Sequence, residues 1–166
     1  RRFDVRGETV LALDDVDLAV PVGRLVAIAG PIGSGKSTLL ALLGCLDRPT
    51  SGSVRVAEQE LTLLGRRARR GLRRSTVATM LPQPADNLLL DRTGFDNLAT
   101  AARQRRADPA GIPDVVESIG IGAFIDRPCS TMSGGEQQRI ALGCALVGKT
   151  PLVLADEPTG ALDATL

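Results

Sequence analysis

The chain has 166 residues, enough for one domain with a sizeable buried core. Twenty basic residues stand against 19 acidic ones, a net charge of +1, so no global field draws the protein toward nucleic acid or an acidic partner. Histidine is absent, which excludes Ser-His-Asp and Cys-His catalysis and His-ligated zinc. Cys45, Cys129 and Cys144 form no C-x-x-C pair and fit a reducing compartment. No apolar run approaches the ~20 residues that span a bilayer, and no signal peptide precedes the first strand, so the chain reads as soluble.

Val16, Leu18 and Val20 alternate with polar or small residues and predict a half-exposed strand. The continuous apolar run 25–29 predicts a central parallel strand covered on both faces. A glycine-rich loop follows, then a helix with Leu39, Leu42, Leu43 and Leu46 on one face. A short strand is expected around Val54 and Val56, and another over 77–81, with an arginine-dense segment between them. From 85 to 132 the pattern is of short helices broken by proline and glycine, with a capping box at Thr93 and Asp96. A helix beginning near Gly135 carries Ile140, Cys144 and Val147 on one face, and the run 152–155 predicts a second buried strand. Strands alternating with helices give an α/β fold, a mostly parallel sheet with an α-helical insertion.

The string "GPIGSGKST" holds Gly30, Pro31, Ile32, Gly33, Ser34, Gly35, Lys36, Ser37 and Thr38, and matches the phosphate-loop pattern between an expected strand and a helix. Its glycines let backbone N–H groups curl around phosphate oxygens; Lys36 reaches the β- and γ-phosphates and Ser37 ligates Mg²⁺. The bland alternative is a glycine-rich turn before a helix, which the strand–loop–helix context disfavours. Asp156 and Glu157 follow the second apolar run, where the carboxyl ends of parallel strands bind ligands. Asp156 is the candidate Mg²⁺ ligand. Glu157 is the candidate base for the attacking water. Away from a phosphate loop, the pair would read as solvated carboxylates at a strand end. "TMSGGEQQRI" is a second capping box, with Ser133 and Glu136 framing Gly134 and Gly135 at a helix start suited to an anion.

In this order, "GPIGSGKST", Gln83 in "LPQP", "MSGGEQQR" and "LVLADEPTGALD" resemble the ATP-binding-cassette ATPases over nearly the whole chain. "LGCLDRPTSG" and "ADEPTGALD" place the resemblance nearest the branch serving lipoprotein release and macrolide export. It implies a P-loop NTPase core of RecA-like type, with an N-terminal antiparallel β part. Residues 1–82 and 149–166 would form the nucleotide-binding core, and 83–148 the helical subdomain bearing the signature. It further implies an ATPase using ATP and Mg²⁺, in which two copies sandwich two nucleotides. Ser133, Gly134 and Gly135 of one copy would hold the γ-phosphate of the ATP on the other. Gln83 would contact Mg²⁺ and the attacking water, although Pro82 and Pro84 flank it where relatives place an aromatic before the glutamine. Phe3 would stack on adenine, though an inward-packing strand residue is nearly as good a reading, and Asp163 would lie across the dimer interface.

The partners implied are a second cassette and a transmembrane permease, at the cytoplasmic side of the cell membrane; no nucleic acid is expected. Such ATPases carry a histidine on the strand after the Asp-Glu pair. Its absence, with the chain ending three residues after Asp163, leads to the expectation of a piece of a longer cassette, missing its C-terminal part and poorly active alone. A soluble ribosome- or DNA-acting ATPase is disfavoured, because no second cassette, zinc cysteines or coiled-coil insertion is present. A division-type regulatory clamp stays open. Arg66, Arg67, Arg69, Arg70, Arg73 and Arg74 read as a solvated helix face rather than a nucleic-acid surface, since no aromatics interleave with them.

Overall fold

A computed structural model describes residues 1–5 and 8–160. The N-terminus is an antiparallel hairpin of β1 (Arg2–Val5) and β2 (Glu8–Leu11), with Phe3 opposite Val10. After the glycine-rich loop comes α1 (Lys36–Leu43), which ends at Gly44. A second hairpin pairs β3 (Arg55–Val56) with β4 (Gln59–Glu60). Then follow α2 (Arg66–Ser75) and β5 (Val77–Met80), and a helical stretch containing α3 (Gly94–Arg105), α4 (Ile112–Ser118) and α5 (Gly134–Leu146). The last strand described, β6 (Leu152–Ala155), pairs parallel with β5, Val77 opposite Leu152 and Met80 opposite Ala155.

Two apolar cores organise these elements. One lies under the hairpin of β3 and β4, where Cys45, Val56, Leu61, Leu72, Val77 and Leu154 are buried and Leu40 and Leu43 of α1 pack against them. The other is helical, built on Leu98, Ile112, Ile121, Cys129, Ile140 and Val147. Gly143 lets α5 approach this second core closely: a Cβ there would stand 3.0 Å from Ile119 Cδ1 and 3.5 Å from Leu98 Cδ1. Asn97 is buried among the helices and fully used. Its Oδ1 accepts from Leu89 N at 2.7 Å, while its Nδ2 donates to Leu89 O at 3.0 Å and Thr93 O at 2.9 Å. A buried amide so satisfied fixes the loop entering α3.

The predicted strands over 77–81 and 152–155, the helix after the glycine loop and both capping boxes are present, the first strand ending at Met80. At α3 the Thr93 side chain accepts from Asp96 N and the Asp96 carboxylate accepts from Thr93 N. The arginine segment is a helix with Arg66, Arg67, Arg70 and Arg74 exposed, while Arg69 and Arg73 are half-buried on its inner side.

Two expectations fail. The runs around 16–20 and 25–29 form no strand and join no ladder among the described residues, and Leu25 is 99% exposed. An apolar composition supplies only half of a strand, because the ladder needs a hydrogen-bonding partner, and neither β5 nor β6 pairs with this run. The helix after the loop also stops before Leu46, which is 53% exposed rather than on its apolar face. Gly44 ends the helix, and Cys45 follows at a left-handed φ of 57°.

Candidate functional site

The glycine loop earns its glycines at two positions. Gly33 (φ 83°) and Gly35 (φ 90°) lie in the left-handed region, and a Cβ on Gly35 would sit 2.4 Å from the Ala12 carbonyl oxygen. The chain after Gly35 enters α1 with no side-chain cap, and the amides of Lys36, Ser37 and Thr38 have no protein acceptor among the described residues. These free donors and the positive end of the helix dipole suit an anion. The Lys36 ammonium folds back across the loop and donates to Gly30 O and Pro31 O, both at 2.8 Å. Pro31, Ile32, Gly33, Ser34 and Ser37 are exposed, so the loop is open to a ligand.

Parallel pairing of β5 and β6 brings a second group together. Asp156 N donates to Met80 O at 3.1 Å, so the segments carrying Gln83 and the Asp156–Glu157 pair leave the same end of the two strands. Asn87 pins the first of them: its Oδ1 accepts from Leu81 N at 2.8 Å and its Nδ2 donates to Leu81 O at 3.0 Å and Gln83 O at 2.9 Å. Gln83 itself is exposed and extended (φ −83°), held between two prolines. Glu157 is exposed with a left-handed φ of 49°, an uncommon backbone state for a residue other than glycine and one that concentrates at functional sites.

At the start of α5 the Ser133 side chain accepts from Glu136 N at 3.3 Å, and the Glu136 carboxylate accepts from Ser133 N at 2.7 Å. The Ser133 amide bond leads the causes that hold the Glu136 carboxyl below the usual carboxylate range, with the Ser133 hydroxyl and Arg127 adding to it. Arg127 meets the same carboxylate at 3.1 Å. The cap engages the amides of Ser133 and Glu136 and leaves those of Gly134 and Gly135 without a protein partner among the described residues.

Lys36 and Ser37 make no hydrogen bond to Asp156, Glu157 or Gln83, and the start of α5 makes none to the phosphate loop, among the described residues. Phe3 is half-buried on β1 with the Arg1 guanidinium 4.3 Å from its ring centroid, so one face of the ring already has a cation on it. Asp163 lies outside the described residues. An open cleft of about 580 Å³ runs beside Leu13, Asp17, Leu39 and Ser51 rather than at the phosphate loop. Ser37 and Asp156 offer a hydroxyl and a carboxylate oxygen, the hard donors that Mg²⁺ takes while keeping several waters, so the donor set fits that ion.

The sequence pattern of the ABC transporter family matches residues 13–160. The chain belongs to that family. It has the fold of an ATP-binding cassette, the P-loop NTPase fold of its structural neighbours. A dimeric, post-hydrolysis structure of the ATP-binding cassette MJ0796 bound to ADP and Pi superposes with a TM-score of 0.85 at 31% identity, covering 99% of this chain and 73% of that one. A second dimeric structure of the same cassette gives 0.84 at 32% identity over 98% and 73%. Among curated relatives, the macrolide export ATP-binding/permease protein MacB 1/2 of Paracoccus denitrificans is 42% identical over 95% of this chain and 24% of its own length. MacB of Salmonella typhimurium is 39% identical over 99% of this chain and 26% of its own length. The chain thus spans about a quarter of the length of the MacB-type ABC proteins it matches. Among the described residues of this ABC cassette, no helix is long and apolar enough to cross a membrane.

Asn87 and Gln138 escaped the sequence reading. Gln138 was in view inside "GGEQQR", but only the structure shows it buried, its Nε2 donating to the Glu157 carbonyl at 3.4 Å. Asn87 carried no signal beyond its place after a proline-flanked glutamine.

Proposed function

We propose that this cassette binds ATP–Mg²⁺ and hydrolyses it only when two copies close on each other, and that closure drives an export permease. The observation carrying this reading is the second anion-receiving helix start. Among the described residues, α1 and α5 both open with free amides, and no hydrogen bond ties the α5 end to the chain's own phosphate loop. A site with one such end on each of two chains is complete only in the dimer, and both cassette structures it resembles are dimeric.

In this reading the free amides from Lys36 to Thr38 hold the phosphates of one chain's ATP, with the Lys36 ammonium turning from the Gly30 and Pro31 carbonyls onto the β- and γ-phosphates. Ser133, Gly134 and Gly135 of the other chain receive the γ-phosphate. Ser37 and Asp156, with Gln83, hold Mg²⁺, which when bound neutralises phosphate charge. Glu157 orients the attacking water and takes its proton, work typically worth about 10²–10⁴ in rate. Phe3 offers adenine the ring face opposite Arg1, and Asp163 lies across the interface. The two apolar cores support a division into a nucleotide-binding core (1–82 and 149–166) and a helical subdomain (83–148). The cassette sits at the cytoplasmic face of the membrane, held through its permease, as the ATP-binding/permease names of its relatives support.

Ser133→Arg and Lys36→Ala in the full-length protein test this. Each alone abolishes phosphate release, and mixing the two restores part of it, because one composite site then pairs an intact phosphate loop with an intact α5 start. Full activity of Ser133→Arg alone, or its loss of ATP affinity in the same chain, contradicts a site shared between copies.

A further inference from the structure

Arg105, the last residue of α3, has no carboxylate partner among the described residues. Its Nη1 donates instead to two backbone carbonyls, Val77 O at 3.2 Å and Arg73 O at 3.4 Å. Val77 opens β5, and Arg73 lies in the last turn of α2, the negative end of that helix dipole. A third element closes over the side chain. A Cβ on Gly148 would sit 2.2 Å from Arg105 Cδ and 3.3 Å from its Cβ and Cγ. Gly148 is not among the left-handed glycines, so this position needs glycine for room, not for backbone freedom. It stands in the connection between α5 and β6.

One arginine therefore holds the end of α2 and the base of β5 through its guanidinium and lays its aliphatic stem against the approach to β6, all from the end of α3, which packs on α5 in the helical core. The far ends of β5 and β6 lead to Gln83 and to Asp156–Glu157. Burial pulls the Arg105 pKa down, with Cys144 opposing, yet an arginine keeps its charge at neutral pH. A half-buried guanidinium on carbonyls, with no carboxylate beside it among the described residues, gives up part of its hydration for those two bonds alone.

We propose that Arg105 is a positioning residue that couples the helical part, including the Ser133 end of α5, to the strand pair carrying Gln83 and Glu157, with Gly148 as the gap that admits it. This rests on the ATPase reading above. Nucleotide capture belongs to the loop from Gly30 to Thr38 and does not involve Arg105; alignment of the water-activating residues does.

The test is steady-state hydrolysis by the full-length protein, with kcat counted per nucleotide-binding site so that misfolded molecules drop out. Arg105→Met is expected to lower kcat about tenfold, the size of one lost charge-assisted hydrogen bond, with KM for ATP within about twofold of wild type. Arg105→Lys, which keeps one donor, falls between. Gly148→Ala reproduces the Arg105→Met loss although the arginine is still there, and the double variant is no worse than either single one. Unchanged kcat per site in Arg105→Met, or losses that multiply in the double variant, overturns the proposal. Should Arg105→Met fail to fold, Gly148→Ala and Arg105→Lys decide it by the same measure: wild-type kcat per site in both overturns it. An inactive wild type overturns the ATPase reading itself, whereas an active wild type with unaffected variants overturns this coupling alone.

Discussion

The side-chain amide of Gln138 donates to the backbone carbonyl of Glu157 across 3.4 Å, joining the helix that starts at Ser133 to the candidate catalytic loop. Gln138 is buried, and among the described residues its Oε1 has no donor and this is the bond its side chain makes. Glu157 sits at a left-handed φ that needs outside support. Gln138→Leu keeps the volume and removes the bond. Turnover by the full-length protein is expected to fall about three- to tenfold, the worth of one hydrogen bond, while ATP affinity holds. Phosphate release beside nucleotide titration checks it, and unchanged turnover counts against a link between α5 and Glu157.

Lys36→Ala is expected to abolish tight nucleotide binding. Lys149, the other lysine, is in the connection before β6 and cannot stand in for it. Titration with a fluorescent ATP analogue is the measurement, and wild-type affinity would remove the loop from its assigned role.

How much of this was legible beforehand follows from which interactions are local. The capping boxes at Thr93 and Ser133 involve partners three residues apart, and both are present as read. The runs that become β5 and β6 were legible because each is short, apolar and bounded by turn residues, although only the structure shows that they pair with each other. The run 25–29 has the same composition, yet it forms no strand, since its partner cannot be read from its own residues. Asn87, Gln138 and Arg105 act on backbone groups from 4 to 32 positions away, and nothing in their neighbouring residues announces those contacts.

Glu136 gives stability a pH dependence. Its carboxyl lies below the usual range in the folded chain because the Ser133 amide donates to it, so the native state binds the proton less readily than the unfolded chain. The contribution is complete above the unfolded pKa and is lost as pH falls through the lower folded value. Between about pH 6 and about pH 3 the urea midpoint of the wild type should fall further than that of Glu136→Gln, which cannot titrate. Parallel curves for the two would refute the assignment.

Burial pushes the Cys144 thiol up to about 12, with nearby Cys129 adding to the rise and Arg105 opposing it. Burial raises Cys45 and Cys129 as well. At about pH 8 almost no thiolate is present at Cys144, so alkylation in the native state should be slow and should become fast in denaturant. Rapid native labelling of Cys144, read by mass spectrometry, would show that the α3–α5 interface opens readily.

Closure of two cassettes around ATP is the central claim, and Glu157→Gln tests it most directly, because it preserves the shape of the side chain and removes the base. Full-length Glu157→Gln is run on gel filtration with ATP and Mg²⁺, beside the same protein with ADP. The account predicts a stable dimer with ATP, carrying two unhydrolysed nucleotides, that is absent with ADP. A variant that elutes identically in both nucleotides, or that still turns over ATP at the wild-type rate, contradicts it.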